Sequence, residues 1–105
     1  MKLKVIWSQS AEYRLDEIFE YYSERASKKI ARKIVHEIIS ATNSLKNTPF
    51  LGQIEPLLDE RIETYRYLVI KNYKIIYSVN ENRYLLKIAD VFDTRQNPNK
   101  LMKME

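Results

Sequence analysis

The chain has 105 residues, no cysteine and a formal net charge of +4. This length allows one hydrophobic core, so we expect a single domain over residues 1–105. The absence of cysteine excludes disulfides and thiolate metal sites, and it is typical of a reducing compartment such as the bacterial cytoplasm. No run approaches the roughly 18 apolar residues of a membrane span, and the apolar segment near the N-terminus is too short for a secretion signal. We therefore expect a cytoplasmic protein with no membrane association.

The net positive charge lies entirely in the C-terminal part of the chain. Residues 1–60 hold nine Lys or Arg and nine Asp or Glu, whereas residues 61–105 hold nine and five. This asymmetry is compatible with an anionic partner, either nucleic acid or an acidic protein segment, and equally with an ordinary solvated surface.

The first half of the sequence predicts a strand followed by two helices. Residues 2–7, KLKVIW, form a β-branched and aromatic run that is typical of a strand. Ser8 or Ser10 can cap a first helix and Ser27 a second, because a hydroxyl accepts a hydrogen bond from the free amides of the first turn. Apolar residues recur at helical spacing in both segments. They are Ala11, Leu15, Ile18, Phe19 and Tyr22 in the first, and Ile30, Ile34, Val35, Ile38, Ile39, Ala41 and Leu45 in the second. We expect these helices to pair as a hairpin.

The second half predicts a loop and then three strands. Segment 49–63 contains the one Gly and two of the three Pro, which favours a loop with at most a short turn. The strands are YRYLVI, YKIIYSV and RYLLKIADVF, separated by Lys71-Asn72 and by Asn80-Glu81-Asn82. Because Asn tolerates the positive φ of tight turns, we expect an antiparallel meander.

Together these elements predict an α+β domain with an N-terminal strand, a two-helix hairpin and a three-stranded antiparallel meander. In the middle strand, alternation places one set of side chains on the face that packs on the helices and Lys74 on the other face. The set is Tyr73, Ile75, Tyr77 and Val79. We expect the sheet face away from the helices to be open.

The sequence carries no motif for metal or nucleotide chemistry. It has no Gly-rich phosphate loop, no HExxH and no Cys/His spacing for a metal, so we expect neither a metal nor a cofactor. The single histidine, His36, lies inside the second helix, where a surface or partly packed role is favoured over that of a general base.

Basic residues of the meander form the candidate site. We expect Arg66 and Lys74 on the strands and Arg95 at the exit of the last strand to converge on one exposed surface that favours an anion. On RNA, such a group could stabilise the extra charge of a phosphorane-like transition state. Asp93 is a candidate base, but Arg95 two residues on favours its ionised form and a structural pair.

The C-terminal half, YRYLVIKNYKIIYSVNENRYLLKIADVFDTRQNP, resembles the RelE/ParE superfamily, the toxin components of bacterial toxin–antitoxin systems that are often called plasmid stabilisation proteins. The shared pattern is a Tyr-Arg-x-Leu-Val strand, an aromatic-Arg/Lys-Ile-x-Tyr strand and an apolar strand running into Val-x-His-x-Arg. The matching positions are Tyr65, Arg66, Leu68 and Val69; Tyr73, Lys74, Ile75 and Tyr77; and Val91 with Arg95. The segment SQSAEYRLDEIFEYY is similar to the first helix of the superfamily, so the resemblance covers almost the whole chain.

The resemblance implies a RelE/ParE-like toxin fold and a cognate antitoxin as partner, in a toxin–antitoxin hetero-oligomer. It implies target- or antitoxin-binding roles for four residues of the meander. These are Arg66, Lys74, Tyr77 and Arg95.

Two branches of the superfamily differ in their target. The RelE-like branch cleaves messenger RNA in the ribosome with a basic cluster on the sheet and often a C-terminal Tyr or His, and the ParE-like branch inhibits DNA gyrase without being an enzyme. If the chain were a ribonuclease, the catalytic candidates would be Arg66, Lys74, Arg95 and Asp93. Leu68, however, stands where the ribonucleases have a second lysine, Leu101 lies near the place of their tyrosine, and Asp93 replaces the frequent histidine.

The ending RQNPNKL resembles the Arg-x-x-Pro-x-x-Leu ending of ParE-like members. These features favour the gyrase-inhibiting branch over the ribonuclease branch. A relative that has lost its activity and only binds an antitoxin stays open as a third interpretation.

Overall fold

The computed structural model describes residues 2–97 and 100–101. They form a five-stranded sheet in the order β1-β5-β4-β3-β2, in which β1 is parallel to β5 and the other neighbours are antiparallel. The strands and helices in chain order are β1 (Lys4–Trp7), α1 (Gln9–Arg25), α2 (Lys28–Ser44), β2 (Gln53–Ile54), β3 (Tyr65–Ile70), β4 (Tyr73–Asn80) and β5 (Leu85–Asp93), with a 3₁₀ turn at Pro56–Leu58. The α+β class, the helical hairpin and the meander are confirmed.

Two serines begin the helices, as the sequence predicts. Ser8, rather than Ser10, caps α1: its Oγ accepts a hydrogen bond from Ala11 N at 3.0 Å and donates to the carbonyl of Ala89 in β5 at 2.7 Å. Ser27 Oγ accepts from Ile30 N at 3.1 Å at the start of α2. Ser8 therefore fixes both the first turn of α1 and the position of that turn against the sheet.

The main core lies between the helical hairpin and one face of the sheet. Its buried members are Leu3, Ala11, Ile18, Ile34, Ile38, Leu45, Tyr73, Ile75, Tyr77, Leu86, Ile88 and Val91. The buried face of α2 is narrower than the sequence predicts, since Ile30 and Ile39 are 45% and 38% exposed. Both lie at the margins of a stripe whose buried centre is formed by Ala31, Ile34, Ile38 and Thr42.

The opposite face of the sheet carries a second, smaller core, so the prediction that this face is open is wrong. Its buried members are Leu58, Tyr65, Ile76, Ala89, Phe92 and Leu101. The segment predicted to be a loop contains β2 and the 3₁₀ turn, and these bring Leu57 and Leu58 over the sheet. Leu101 packs there from the C-terminal side.

The turns of the meander differ from the prediction in their chemistry. Among the described residues, the non-glycine positions with positive φ are Lys71 and Tyr84, both at 55°, and not the asparagines. Asn80 instead accepts a hydrogen bond from Arg83 N at 3.2 Å, and the carbonyl of Asn72 accepts from Thr94 N at 2.8 Å. Asn80 thus closes the β4–β5 turn, whereas Asn72 ties the β3–β4 turn to the residue after β5. The left-handed backbone is taken by Lys71 and Tyr84.

A β-bulge interrupts the pairing of β4 with β5. Tyr77 pairs with Ile88 and Ile76 pairs with Asp90, so that Ala89 is an extra residue. As a result Ile88 and Val91 both belong to the core on the helix side. Between them Asp90 lies within 3.7 Å of Arg14 on α1.

Candidate functional site

Arg66 and Lys74 lie on opposite faces of the sheet, so the prediction that they converge on one surface with Arg95 is wrong. The register pairs Arg66 with Tyr77 and Val69 with Lys74. Directly opposed residues of an antiparallel pair share a face, and that face alternates along each strand. Arg66 therefore lies on the helix side with Tyr77, and Lys74 on the other side.

Arg66 and Tyr77 together hold the loop that leads into β2. Arg66 Nη1 donates to the carbonyl of Gly52 at 2.9 Å, and its guanidinium lies 5.2 Å from the ring centre of Phe50. Gly52 N donates to the hydroxyl of Tyr77 at 2.8 Å. Tyr77 is fully buried, and burial raises its pKa. Because its side chain is enclosed, Tyr77 can contact a partner only after this loop moves.

Gly52 is required by close approach at this point. A Cβ there would lie 2.5 Å from the Tyr77 hydroxyl and 2.7 Å from the carbonyl of Tyr67. The second of these atoms belongs to the backbone and cannot swing away. The one glycine of the sequence thus marks the place where the loop crosses the sheet.

Lys74 is neutralised by a buried carboxylate. Its Nζ lies 3.0 Å from Glu55 Oε2 and 4.3 Å from the ring centre of Tyr67. The Glu55 side chain has no exposed surface, and its Oε1 has no hydrogen-bond partner among the described residues. The charge of Lys74 is therefore already balanced within the chain.

A second lysine on the same face repeats this arrangement in a more exposed setting. Lys87 Nζ lies 3.2 Å from Glu63 Oε2 and 6.0 Å from the ring centre of Tyr65. The Tyr65 hydroxyl donates to the same carboxylate at 2.6 Å, and this bond lowers the pKa of Glu63. The pKa of Tyr65 is raised to about 12, mainly by burial and secondly by that hydrogen bond. The sheet face away from the helices thus presents lysines that are each paired with a carboxylate and a tyrosine ring.

Asp93 and Arg95 form the pair that the sequence predicts. Arg95 Nε and Nη2 donate to the two carboxylate oxygens at 3.0 and 2.8 Å, and this fork lowers the pKa of Asp93. Asn72 Nδ2 donates to the same carboxylate at 3.3 Å, while Thr94 bonds to the Asn72 carbonyl. The cluster ties the β3–β4 turn to the end of β5. Arg95 keeps 54% of its side chain exposed, the most open of the three predicted cations.

A cleft between α1 and the end of β5 was not anticipated from the sequence. It has a volume of about 320 Å³, and its lining includes Arg14, Tyr21, Tyr73, Asp90, Asp93 and Arg95. Asp90 is only 8% exposed, and burial raises its pKa. In the sequence, Asp90 could have been recognised as a candidate because it is the single carboxylate inside the apolar run LLKIADVF.

Three further observations concern metal ligands, the single histidine and the lengths of the helices. Over residues 2–97 and 100–101, no group of three His, Cys, Asp or Glu side chains could hold a metal ion. His36 is exposed on α2, with Ser40 Oγ at 3.4 Å, which confirms the surface interpretation. Among the described residues, no helix is long and apolar enough to cross a membrane.

The chain combines an N-terminal strand that is parallel to its neighbour, a helical hairpin, and an antiparallel meander whose last strand ends at charged residues. This combination defines the class of protein as the RelE/ParE type of toxin fold. A family model described as ParE toxin of type II toxin-antitoxin system, parDE, matches residues 5–98, and the chain belongs to this family. The resemblance inferred from the sequence is confirmed.

A solved structure described as the chromosomal ParDE TA system from P. aeruginosa is similar to the chain, with a TM-score of 0.72 and 18% sequence identity. The match covers 88% of this chain and 96% of that one. At this identity the match supports the fold. A comparison with curated proteins gives no match.

Proposed function

We propose that this chain is the toxin of a type II toxin–antitoxin pair, that it inhibits DNA gyrase without being an enzyme, and that its cognate antitoxin neutralises it. Membership of the ParE toxin family supports the first part. The choice of target rests on one observation, which is that the basic residues expected of a ribonuclease do not form a common site.

Cleavage of RNA needs preorganised cations at one phosphate, together with groups that remove and supply protons. Here Arg66 and Lys74 lie on opposite faces, and Lys74 is paired with buried Glu55. Both carboxylate oxygens of Asp93 accept from Arg95, which favours its ionised form as a structural anchor over its use as a base. A function through binding accords better with this arrangement than hydrolysis does.

The test is a side-by-side comparison of gyrase supercoiling and translation-coupled mRNA cleavage with the purified chain. We expect loss of supercoiling at protein concentrations that leave mRNA intact. Ribosome-dependent cleavage that disappears when Arg95 or Lys74 is changed would overturn the proposal in favour of the RelE-like activity. In cells, expression should stop growth, and co-expression of the neighbouring reading frame should restore it. A chain that folds, binds that neighbour and leaves both growth and supercoiling unaffected would instead be an inactive antitoxin-binding relative.

The surface around β2 is our candidate for antitoxin contact. Phe50, Leu51 and Ile54 are 49%, 65% and 55% exposed beside Arg66. An amphipathic acidic segment that orders on binding suits such an apolar surface with a cation in it. Opposite charge speeds the encounter and apolar contacts slow dissociation, so association should slow as salt rises while the dissociation rate changes less. An affinity that is unchanged in Arg66→Gln would place the interface elsewhere.

A further inference from the structure

We propose that the cleft between α1 and the end of β5 is a receptor site for the guanidinium group of an arginine side chain on a protein partner, with Asp90 as its charge partner. The proposal concerns a part of the surface that the proposed function leaves unused. It rests on the proposed function only for the source of the arginine.

The carboxylate of Asp90 is only partly satisfied by hydrogen bonds from the described residues. Its Oδ1 accepts a hydrogen bond from Val91 N at 2.8 Å, and its Oδ2 accepts none from the described residues. The nearest cationic atom is Arg14 Nε at 3.7 Å, beyond hydrogen-bonding distance. Arg14 is held from the solvent side by Glu17, whose Oε1 accepts from Nη1 at 2.8 Å. A carboxylate that is buried without full compensation favours a cationic donor.

Two of the three cations that line the cleft, Arg14 and Arg95, are already engaged, while the third, Lys100, is exposed to solvent. Arg95 donates both Nε and Nη2 to Asp93, and Arg14 donates Nη1 to Glu17. An anion that bound to Arg95 or Arg14 would have to displace Asp93 or Glu17 from the hydrogen bonds that these carboxylates accept. A guanidinium arriving at Asp90 would displace no hydrogen bond of that carboxylate among the described residues.

The volume and the lining of the cleft suit an arginine side chain. Its volume of about 320 Å³ lies near the lower limit of ligand pockets, which suits one long side chain better than a larger molecule. Ile18 and Val91 offer apolar wall for the methylene stem, and Tyr21 offers an aromatic ring for the planar head. The same ring already accepts a guanidinium, that of Arg25, at 4.9 Å from its centre. These features favour arginine over lysine, because the ammonium of lysine is more strongly hydrated and does not stack.

The experiment is a titration of the ¹⁵N-labelled full chain with argininamide, followed by proton–nitrogen correlation spectra. We expect the amides of Val91 and Tyr21 to shift in a saturable way. Citrullinamide has the same length but a neutral urea head, and it should bind at least about tenfold more weakly because the charge-assisted hydrogen bond is lost. Asp90→Asn keeps an acceptor for Val91 N and should abolish saturation. Asp16→Asn removes an exposed carboxylate elsewhere on α1 and should leave the titration unchanged.

Arg14→Met decides between a cation site and an anion site by the sign of its effect. Removal of Arg14 takes away the cation nearest to Asp90, so argininamide should bind more tightly to this variant. An anion such as inorganic phosphate or AMP would instead bind less tightly. Shifts of the same amides by phosphate or AMP that weaken in Arg14→Met, or no saturable response to argininamide, would overturn the proposal even if Asp90→Asn failed to fold.

The source of the arginine is distinguished by repeating the titration on the toxin–antitoxin complex. Loss of argininamide binding in the complex assigns the arginine to the antitoxin. Unchanged binding in the complex excludes the antitoxin as the source and leaves the target of the toxin as the protein that would supply the arginine. Because the titration of the free chain needs neither toxicity nor an identified target, its outcome is independent of the gyrase assay.

Discussion

Replacement of Lys74 by methionine should destabilise the chain far more than the loss of a surface lysine usually does. The cause is its partner, Glu55, whose side chain is wholly buried and whose Oε1 already lacks a hydrogen bond from the described residues. Methionine keeps an unbranched stem of similar length while it removes the ammonium and the contact of that ammonium with the Tyr67 ring, so the change tests the charge. What remains is a buried carboxylate with no cation.

Removal of one partner of a buried ion pair typically costs about 3–5 kcal/mol. Lys74 is 25% exposed, which admits some water to the pair, so we expect about 3 kcal/mol, the lower end of that range. The reciprocal change, Glu55→Gln, should cost only about 1 kcal/mol, because the lysine can turn its head to water. The double variant Glu55→Gln/Lys74→Met removes both charges and should lie within about 1 kcal/mol of the parent protein.

Urea unfolding of the purified chains, read by circular dichroism, measures these differences. With an m value of about 1.5 kcal/mol per M, Lys74→Met should lower the midpoint by about 2 M. Lys29→Met, at an exposed position in the first turn of α2, is the matched control and should change stability by no more than about 0.5 kcal/mol. If Lys74→Met cost as little as the control, or if the double variant were as unstable as the single one, the argument from the buried carboxylate would be refuted. The double variant also distinguishes a role of Lys74 in folding from a role in binding. If activity is lost in Lys74→Met but retained in the double variant, the loss reflects folding and not contact with a target.

Three further changes test other parts of the structure. Gly52→Ala places a Cβ against the Tyr77 hydroxyl and the Tyr67 carbonyl and should destabilise the chain by about 2 kcal/mol in thermal melting, whereas an unchanged melting temperature would contradict the close approach. Ser8→Ala removes both the cap of α1 and the bond to Ala89, and we expect a loss of about 1–2 kcal/mol, against a negligible loss for Ser10→Ala. Arg95 lowers the pKa of Asp93 in the folded chain, so the pair contributes stability above the unfolded pKa near pH 4 and loses that contribution as the pH falls through the folded value. Because Arg95 is more than half exposed, Asp93→Asn should lower stability only modestly at neutral pH. Its unfolding curve should approach that of the parent protein once the pH falls below the folded pKa of Asp93, and a difference that persists in stronger acid would show that the carboxylate acts through something other than its charge.

The order of elements was contained in the sequence because its signals are local. These signals are serine hydroxyls at helix starts, apolar residues that recur every 3.6 residues or so in helices, and apolar residues that alternate with a period of about 2 in strands. They predicted α1, α2 and the meander strands to within one to three residues at most ends. Two residues of β2 were missed because they carry no periodic signal and are strand only through pairing with β3. The second core was missed for a related reason, since Leu58 and Leu101 flank the meander in sequence but meet over the sheet.

The face of the sheet on which each basic residue lies depends on the register of the strands. The two-residue turn at Lys71-Asn72 sets Ile70 opposite Tyr73, and this pairing places Arg66 opposite Tyr77 on the helix side. Composition and family resemblance suggested cations in one patch, but side-chain direction follows the pleat and not the type of residue. Asp93 and Arg95 were paired correctly from the sequence because they are two residues apart at the end of one strand.

The sequence by itself determined the two helices, β1 and the three meander strands, and the family to which the chain belongs, because the residue spacing that indicates them lies within short stretches. Only the tertiary structure decided that Lys74 meets Glu55, that Asp90 meets Arg14, and that a cleft lies between α1 and β5. Each of these contacts joins residues that are far apart along the chain, at positions set by strand register, by the bulge at Ala89 and by the packing of the helices. A charged side chain becomes buried only when those distant segments have packed together, and its burial decides which partners it can bind.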